Sequence, residues 1–239
     1  MHPKVAVGFL LLLASSREGA CTMVNLTEEA NIYIKKMERR LGEIDNWGLT
    51  ENYTYWTRRH FTDGERPVVA AVMKPECRLK EEQEIVQSVE LNDCNEIFTW
   101  NISHGIKSPF QLLVNVTLPM IRNGHAKHTK VVELDLSNLT IQKEIKNRVK
   151  HTGNLTQKVT MSCGFEAKTR FWGYFAFHVK RPRGDTPNYN RVNIAALENK
   201  AKGLHKSSGV LTYTIKGQYT QTLCRYQNNK RSKRSAGLQ

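Results

Sequence analysis

Beyond residue 44 the apolar side chains stop recurring at helical spacing and begin to recur at every second position, which restricts most of this chain to sheets. The clearest stretch is 110–118, where Phe110, Leu112, Val114, Val116 and Leu118 fall on one face and Gln111, Leu113, Asn115 and Thr117 on the other. Phe98, Trp100 and Ile102 alternate in the same way around Asn101. Val132, Leu134 and Leu136 make a third run, but Asn138 falls in phase with its buried set, which predicts a bend or bulge near Ser137. Further strands are predicted at 52–61, 67–74, 85–91, 157–163, 171–180, 190–197 and 209–224. Turn signals such as Asp63-Gly64, Asn123-Gly124 and Thr152-Gly153-Asn154 separate several of them. About ten short strands without an internal repeat suggest a mainly β fold, a β-sandwich or an up-and-down barrel.

One helix precedes them. From Thr27 to Ile44 the apolar positions Ala30, Tyr33 or Ile34, Met37, Leu41 and Ile44 keep a period near 3.6. Thr27 is suited to cap the first turn, Glu28 and Glu29 suit its positive end, and Gly42 weakens the far end. The expected element is an N-terminal amphipathic helix whose apolar stripe packs on the sheet.

The first twenty residues carry the three parts of a secretory signal: a basic start at Lys4, an apolar run from Val5 to Ala14, and a small-residue exit at Gly19-Ala20. That run is too short to cross a bilayer, so a secreted, extracellular product without a membrane span is expected, with 1–20 as the signal peptide. Residues 21–224 are read as one mainly β glycosylated domain and 225–239 as a basic tail. Six sequons agree with the secretory route: Asn25, Asn52, Asn101, Asn115, Asn138 and Asn154. All lie before residue 155.

Charge divides the chain at nearly the same place. The whole sequence has 36 Lys and Arg against 22 Asp and Glu, a net +14. Residues 21–167 sum to zero, whereas 168–239 hold 15 Lys or Arg against only Asp185 and Glu198. A surplus so placed suits a polyanion, and outside a cell a sulfated glycosaminoglycan is a fitter partner than nucleic acid.

Cys21, Cys77, Cys94, Cys163 and Cys224 remain after signal removal and read as two disulfides and one odd thiol. The pairing expected from proximity along the chain is Cys77 with Cys94 and Cys163 with Cys224. No Gly-x-Ser-x-Gly elbow, His-Glu-x-x-His, phosphate-binding glycine loop or Cys-x-x-Cys is present, and His125 and His128 have no third ligand nearby. The expectation is a binding protein, not an enzyme, with no catalytic residue, metal or cofactor.

Two stretches are candidate binding elements. "FWGYFAFHVK", 171–180, is apolar on both faces, as suits either a central strand of a sandwich or the wall of a ligand cavity. "RPRGDTP", 181–187, sets Arg183, Gly184 and Asp185 between prolines. It reads as an exposed turn, or as an adhesion loop whose aspartate completes a metal site on a host cell-surface receptor of integrin type.

"DNWGLTENYTYWTRRHF", 45–61, followed by Cys77, resembles the opening of tick salivary lipocalins, in which an Asp-x-Trp element precedes a Tyr-rich first strand. The signal peptide, single domain, many sequons and few cysteines together resemble the glycosylated immunosuppressant proteins of tick saliva. That resemblance implies a secreted effector that modulates host immune or adhesive cells. A small-ligand carrier of lipocalin type is one alternative. "RSKRSAGLQ" at the end is similar to a furin-type site cleaved after Arg234, and a second alternative is the receptor-binding subunit of a viral envelope protein.

Overall fold

The structure, a computed structural model, describes residues 22–89, 95–122, 129–145 and 156–226. The calls on the signal peptide, Cys21, Cys94, His125, His128, Asn154 and the tail beyond Tyr226 lie outside those residues.

A short strand, β1 (Thr22–Asn25), runs directly into helix α1 (Leu26–Leu41). The cap is Asn25 instead of Thr27: its side-chain oxygen accepts from the amides of Thr27 at 3.1 Å and Glu28 at 3.4 Å. Leu26, Ala30 and Ile34 are buried along one stripe, so the amphipathic reading holds. The helix stops at Gly42, whose φ of 118° only glycine adopts freely and where a Cβ would collide with the Arg181 carbonyl. Ile44 therefore belongs to the next strand, β2 (Gly42–Gly48).

One turn of helix follows, α2 (Thr54–Thr57), where a strand over 52–61 is expected. Tyr53, Tyr55 and Trp56 all bury on one side, and a period of two would have exposed one of them. The remaining strands are β3 (Val69–Val72), β4 (Glu76–Val89), β5 (Glu96–Lys107), β6 (Leu113–Leu118), β7 (Lys130–Asp135), β8 (Thr140–Ile145), β9 (Thr156–Trp172), β10 (Tyr174–Pro182), β11 (Tyr189–Asn193), β12 (His205–Ser207) and β13 (Val210–Tyr226). The strand expected over 190–197 ends at Asn193, whose side chain caps a 3-10 turn at Ile194–Leu197, and a second such turn follows at Lys200–Lys202. The fold is mainly β with one N-terminal helix, as the alternation predicts.

The strands form layers. An eight-stranded sheet has β5, β13 and β9 at its centre, with β1 and β8 end to end along the outside of β5, and β3 and β4 end to end along the outside of β9. β13 and β9 stay in antiparallel register from Leu211 opposite Phe171 to Tyr226 opposite Thr156. A two-stranded sheet of β6 and β7 and a three-stranded sheet ordered β11, β10, β2 supply the facing side chains. Between the layers Trp100, Tyr219, Phe98, Phe165, Phe171, Phe175 and Phe177 are fully buried. Each stabilises the fold by about 1.5–3 kcal/mol through the apolar surface it removes from water.

Val114, Val116 and Leu118 are buried while Leu113 and Asn115 are exposed, as their alternation predicts. The expected bend near Ser137 is a turn that carries the chain from β7 in one sheet to β8 in another, with the Ser137 amide on the Asp135 carboxylate at 3.0 Å. Gly173, at φ 107° and pressed against the Pro67 carbonyl, breaks what would otherwise be one strand into β9 and β10. β10 is the central strand of its sheet and is filled on both faces. Phe175, Phe177 and Val179 point into the main core, and Ala176 lies under a second cluster of Tyr53, Tyr55 and Trp56.

The expected disulfides are corrected. Cys77 on β4 is bonded to Cys163 on the neighbouring β9, with Cα atoms 5.6 Å apart across a sequence separation of 86. Neither Cys77–Cys94 nor Cys163–Cys224 can then form, and Cys224 is also disulfide-bonded. Strand pairing decides which cysteines meet, and β4 and β9 pair although Glu76 and its partner Glu166 are far apart along the chain.

Candidate functional site

The Arg-Gly-Asp triplet follows β10 at the point where that strand, paired with β2, reaches the C-terminal end of α1. There the Arg183 amide donates to the Leu41 carbonyl at 2.8 Å and its guanidinium Nη1 to the Arg39 carbonyl at 2.9 Å. A cation against the last carbonyls of a helix satisfies acceptors the helix cannot and meets the negative end of its dipole. Gly184 takes a positive φ of 57°, and Thr186 closes the turn by donating its hydroxyl to the Arg183 carbonyl at 2.7 Å. Asp185 is exposed. The triplet is thus divided: its arginine serves the fold and its aspartate faces solvent.

Four of the five described sequon asparagines, Asn52, Asn101, Asn115 and Asn138, are exposed on turns or outward strand positions. Asn25, half-buried, spends its oxygen on the helix cap and leaves the nitrogen that a glycan would occupy.

Part of the positive surplus is neutralised by folding. Arg181 pairs with Glu43 at 3.3 Å, Arg191 with Glu65 at 2.6 Å, Lys202 with Glu29 at 2.6 Å, and Lys216 with Glu166 at 3.3 Å. Burial alone would raise the Glu29 carboxyl, but hydrogen bonds from Lys202 and Asn199 outweigh it and hold the group below the ordinary glutamate range. At Glu65 burial is likewise overcome, by hydrogen bonds from Thr62 and Tyr55 and by the charge of Arg191. Asp45 is held low chiefly by its 2.7 Å hydrogen bond with His178. Lys168, Arg170 and Lys200 remain exposed with no carboxylate in ion-pair reach among the described residues.

Two grooves differ in character. One, of about 730 Å³, is lined by residues of both signs, among them Glu28, His104, Glu166, Lys202, His205 and Lys216, and has the sequon Asn25 in its wall. Among the described residues no three His, Cys, Asp or Glu side chains converge to hold a metal ion. The other, of about 480 Å³, lies on the outer face of the sheet between β3, β9 and the tight Ser208-Gly209 turn that joins β12 to β13. Trp172, Arg170 and Met73 line it, and no carboxylate does. Trp172 belongs to the candidate element 171–180, but Lys168 and Arg170 were missed, although all three alternate with the buried Ala167, Thr169 and Phe171.

No family model matches the chain, and no curated protein matches it. Among solved structures it is similar to a chain of the Cry23Aa1 and Cry37Aa1 binary protein complex, at 12% identity and a TM-score of 0.41, over 84% of this chain and 85% of that one. It is also similar to a non-toxic crystal protein from Bacillus thuringiensis, at 13% identity and a TM-score of 0.42, over 85% of this chain and 94% of that one. The Mpp75Aa1.1 β-pore-forming protein from Brevibacillus laterosporus gives 14% identity and a TM-score of 0.28, over 78% of this chain and 68% of that one. Likenesses of this size carry no argument about what the chain does.

Proposed function

We propose that this chain is a secreted glycoprotein that acts by binding, an effector that docks on host cells through sulfated glycosaminoglycan and modulates immune or adhesive cells of the kind targeted by salivary immunosuppressants. The observation that carries the reading is an asymmetry. The exposed sequons all lie before residue 168, while residues 168–239 hold 15 Lys or Arg against only Asp185 and Glu198, and residues 21–167 sum to zero. Bulky glycans on one part of the surface leave the basic part open to a polyanion, which gains by neutralising it. An integrin-type receptor is a further partner on the strength of the exposed Asp185. The carrier alternative draws no support from β10, whose two faces are filled by side chains.

The test is retention of the glycosylated protein on heparin and its capture by cells. Retention that weakens steeply with salt, together with loss of cell binding after the sulfated glycans are stripped enzymatically, is the expected result, because the Debye length shrinks to ~8 Å at physiological ionic strength. Protein that passes through heparin unretained at low salt would overturn the reading.

A further inference from the structure

Resting on that reading, we infer that the outer face of β9 carries a built saccharide subsite: the indole of Trp172 stacks on a pyranose ring of an acidic glycan, while Arg170 and Lys168 bind its sulfates or carboxylates. Residues two apart on a strand point the same way about 6–7 Å apart, so Trp172, Arg170 and Lys168 form a straight row of ring, cation and cation. The row is fixed by the sheet on both sides: Trp172 is opposite Val69 and Arg170 opposite Ala71 on β3, and Arg170 faces Thr212 and Lys168 faces Thr214 on β13. Its far end is marked by Glu166, already paired with Lys216.

Trp172 is 41% exposed beside Met73 at 54% and Val69 at 42%, an arrangement that gives the fold little and presents a flat apolar platform to solvent. From Met73 a second groove of about 320 Å³ continues past Lys74 and Lys168 to Glu76 and Glu166, the latter already paired with Lys216. A linear acidic sugar chain matches the Trp172 end of this row: negative charge at intervals for Arg170 and Lys168, and ring faces of C–H groups for the indole. None of the described sequons lines either groove.

The experiment measures binding of the full glycosylated chain to a heparin-derived tetrasaccharide. Trp172→Ala removes no charge, and Arg170→Gln removes one, as does Lys200→Gln, a residue that lines neither groove. The expected result is a loss of about tenfold or more for each of the first two, as one charge-assisted or stacking contact implies, and a change below about threefold for the third. Trp172→Phe keeps a flat ring and should bind within about fivefold of the parent, less than one such contact, which guards against a mere folding defect. Saccharide titration should shift the tryptophan emission of the parent but not of Trp172→Phe.

Binding indifferent to Trp172, or weakened equally by Arg170→Gln and Lys200→Gln, would overturn the subsite while leaving the glycan-binding reading standing. A parent that binds no acidic oligosaccharide at low salt would overturn both. Trp172-dependent binding to phosphatidylserine vesicles with none to the tetrasaccharide would assign the row to a membrane and overturn the saccharide.

Discussion

The core between the sheets and the aromatic cluster above Ala176 both exclude water, by different means. In the core, Trp100 packs on Tyr219 with ring centres 4.8 Å apart, and the buried Gln221 accepts from the Ile121 amide and the Tyr219 hydroxyl and donates to the Ile121 carbonyl. Apolar contact dominates, and the polar ends of Gln221 and Tyr219 are bonded inside the chain. In the cluster, Tyr53 donates to the Asn46 carbonyl at 3.1 Å, Tyr55 to Glu65 at 2.7 Å, and Tyr189 is stacked on His60 with ring centres 3.9 Å apart. One region should therefore answer to changes of side-chain volume, and the other to changes of proton.

The sharpest test of the first half is Trp100→Ala. It should cost about 3–5 kcal/mol in urea unfolding, through lost burial and the cavity left behind. Trp100→Phe should cost far less, under about 1.5 kcal/mol, because it also removes an indole N–H that has no partner among the described residues. Equal losses for the two would mean that shape, not burial, dominates there.

Next in size is the bond between β4 and β9. Replacing Cys77 and Cys163 together by alanine should cost about 2–5 kcal/mol, and a peptide map without reductant should link those two residues. A map that links Cys77 to Cys94 would restore the pairing that chain proximity suggests.

The second half is tested at Glu65. Glu65→Gln should cost about 1–3 kcal/mol, the range for hydrogen bonds to a charged group. The loss should be local, speeding amide exchange over 54–61 while β9 and β13 stay protected. Acid should imitate it. Because Glu65 and Glu29 are held below the ordinary value of 4.5 in the folded chain, their contribution is complete above that pH and fades as pH falls through the depressed folded values. Alkali acts in the opposite sense. Burial pushes Tyr53 and Tyr55 from 10.0 up to about 12, so their contribution is whole below pH 10 and is lost as pH rises toward 12. A Tyr55→Phe variant whose alkaline stability loss matched the parent's would separate Tyr55 from this effect.

The smallest expected effect is that of Arg183→Ala, up to about 1 kcal/mol, confined to the end of α1 where its guanidinium meets a carbonyl. An Asp185→Glu variant should leave stability unchanged, and its only measurable consequence should be on receptor-bearing cells.

Much of the sheet was legible because its burial is one-sided. Val114, Val116 and Leu118 alternate with exposed residues, and the sequon residue Asn115 falls outward in step with them. The helix was legible for the same reason, though its cap was placed two residues late because Asn25 also belongs to a sequon. β9 was anticipated only near its two ends, over 157–163 and at 171–172. Its inner positions 167 and 169 are Ala and Thr, too small and too polar to mark a buried face, so the row of Lys168, Arg170 and Trp172 outside them went unnoticed. The disulfide was hidden by a different cause, since local spacing does not encode which strands meet across the fold. The Arg183 contact needs the end of α1 and the end of β10 in one place, and no reading along the chain supplies that.

The position of β13 has a consequence for how such a molecule is made. It is the last strand in chain order among the described residues, yet it lies between β5 and β9 in the middle of the sheet. A nascent chain presents β5 and β9 with their facing edges unpaired until β13 has left the ribosome, and unpaired edges of long strands invite association with other chains. The sequons at Asn52, Asn101, Asn115 and Asn138 are all translated before that moment. On the proposed secretory reading, glycans added to them during translation would shield the waiting strands, so a modification proposed for the mature surface would also act as a chaperone for its assembly.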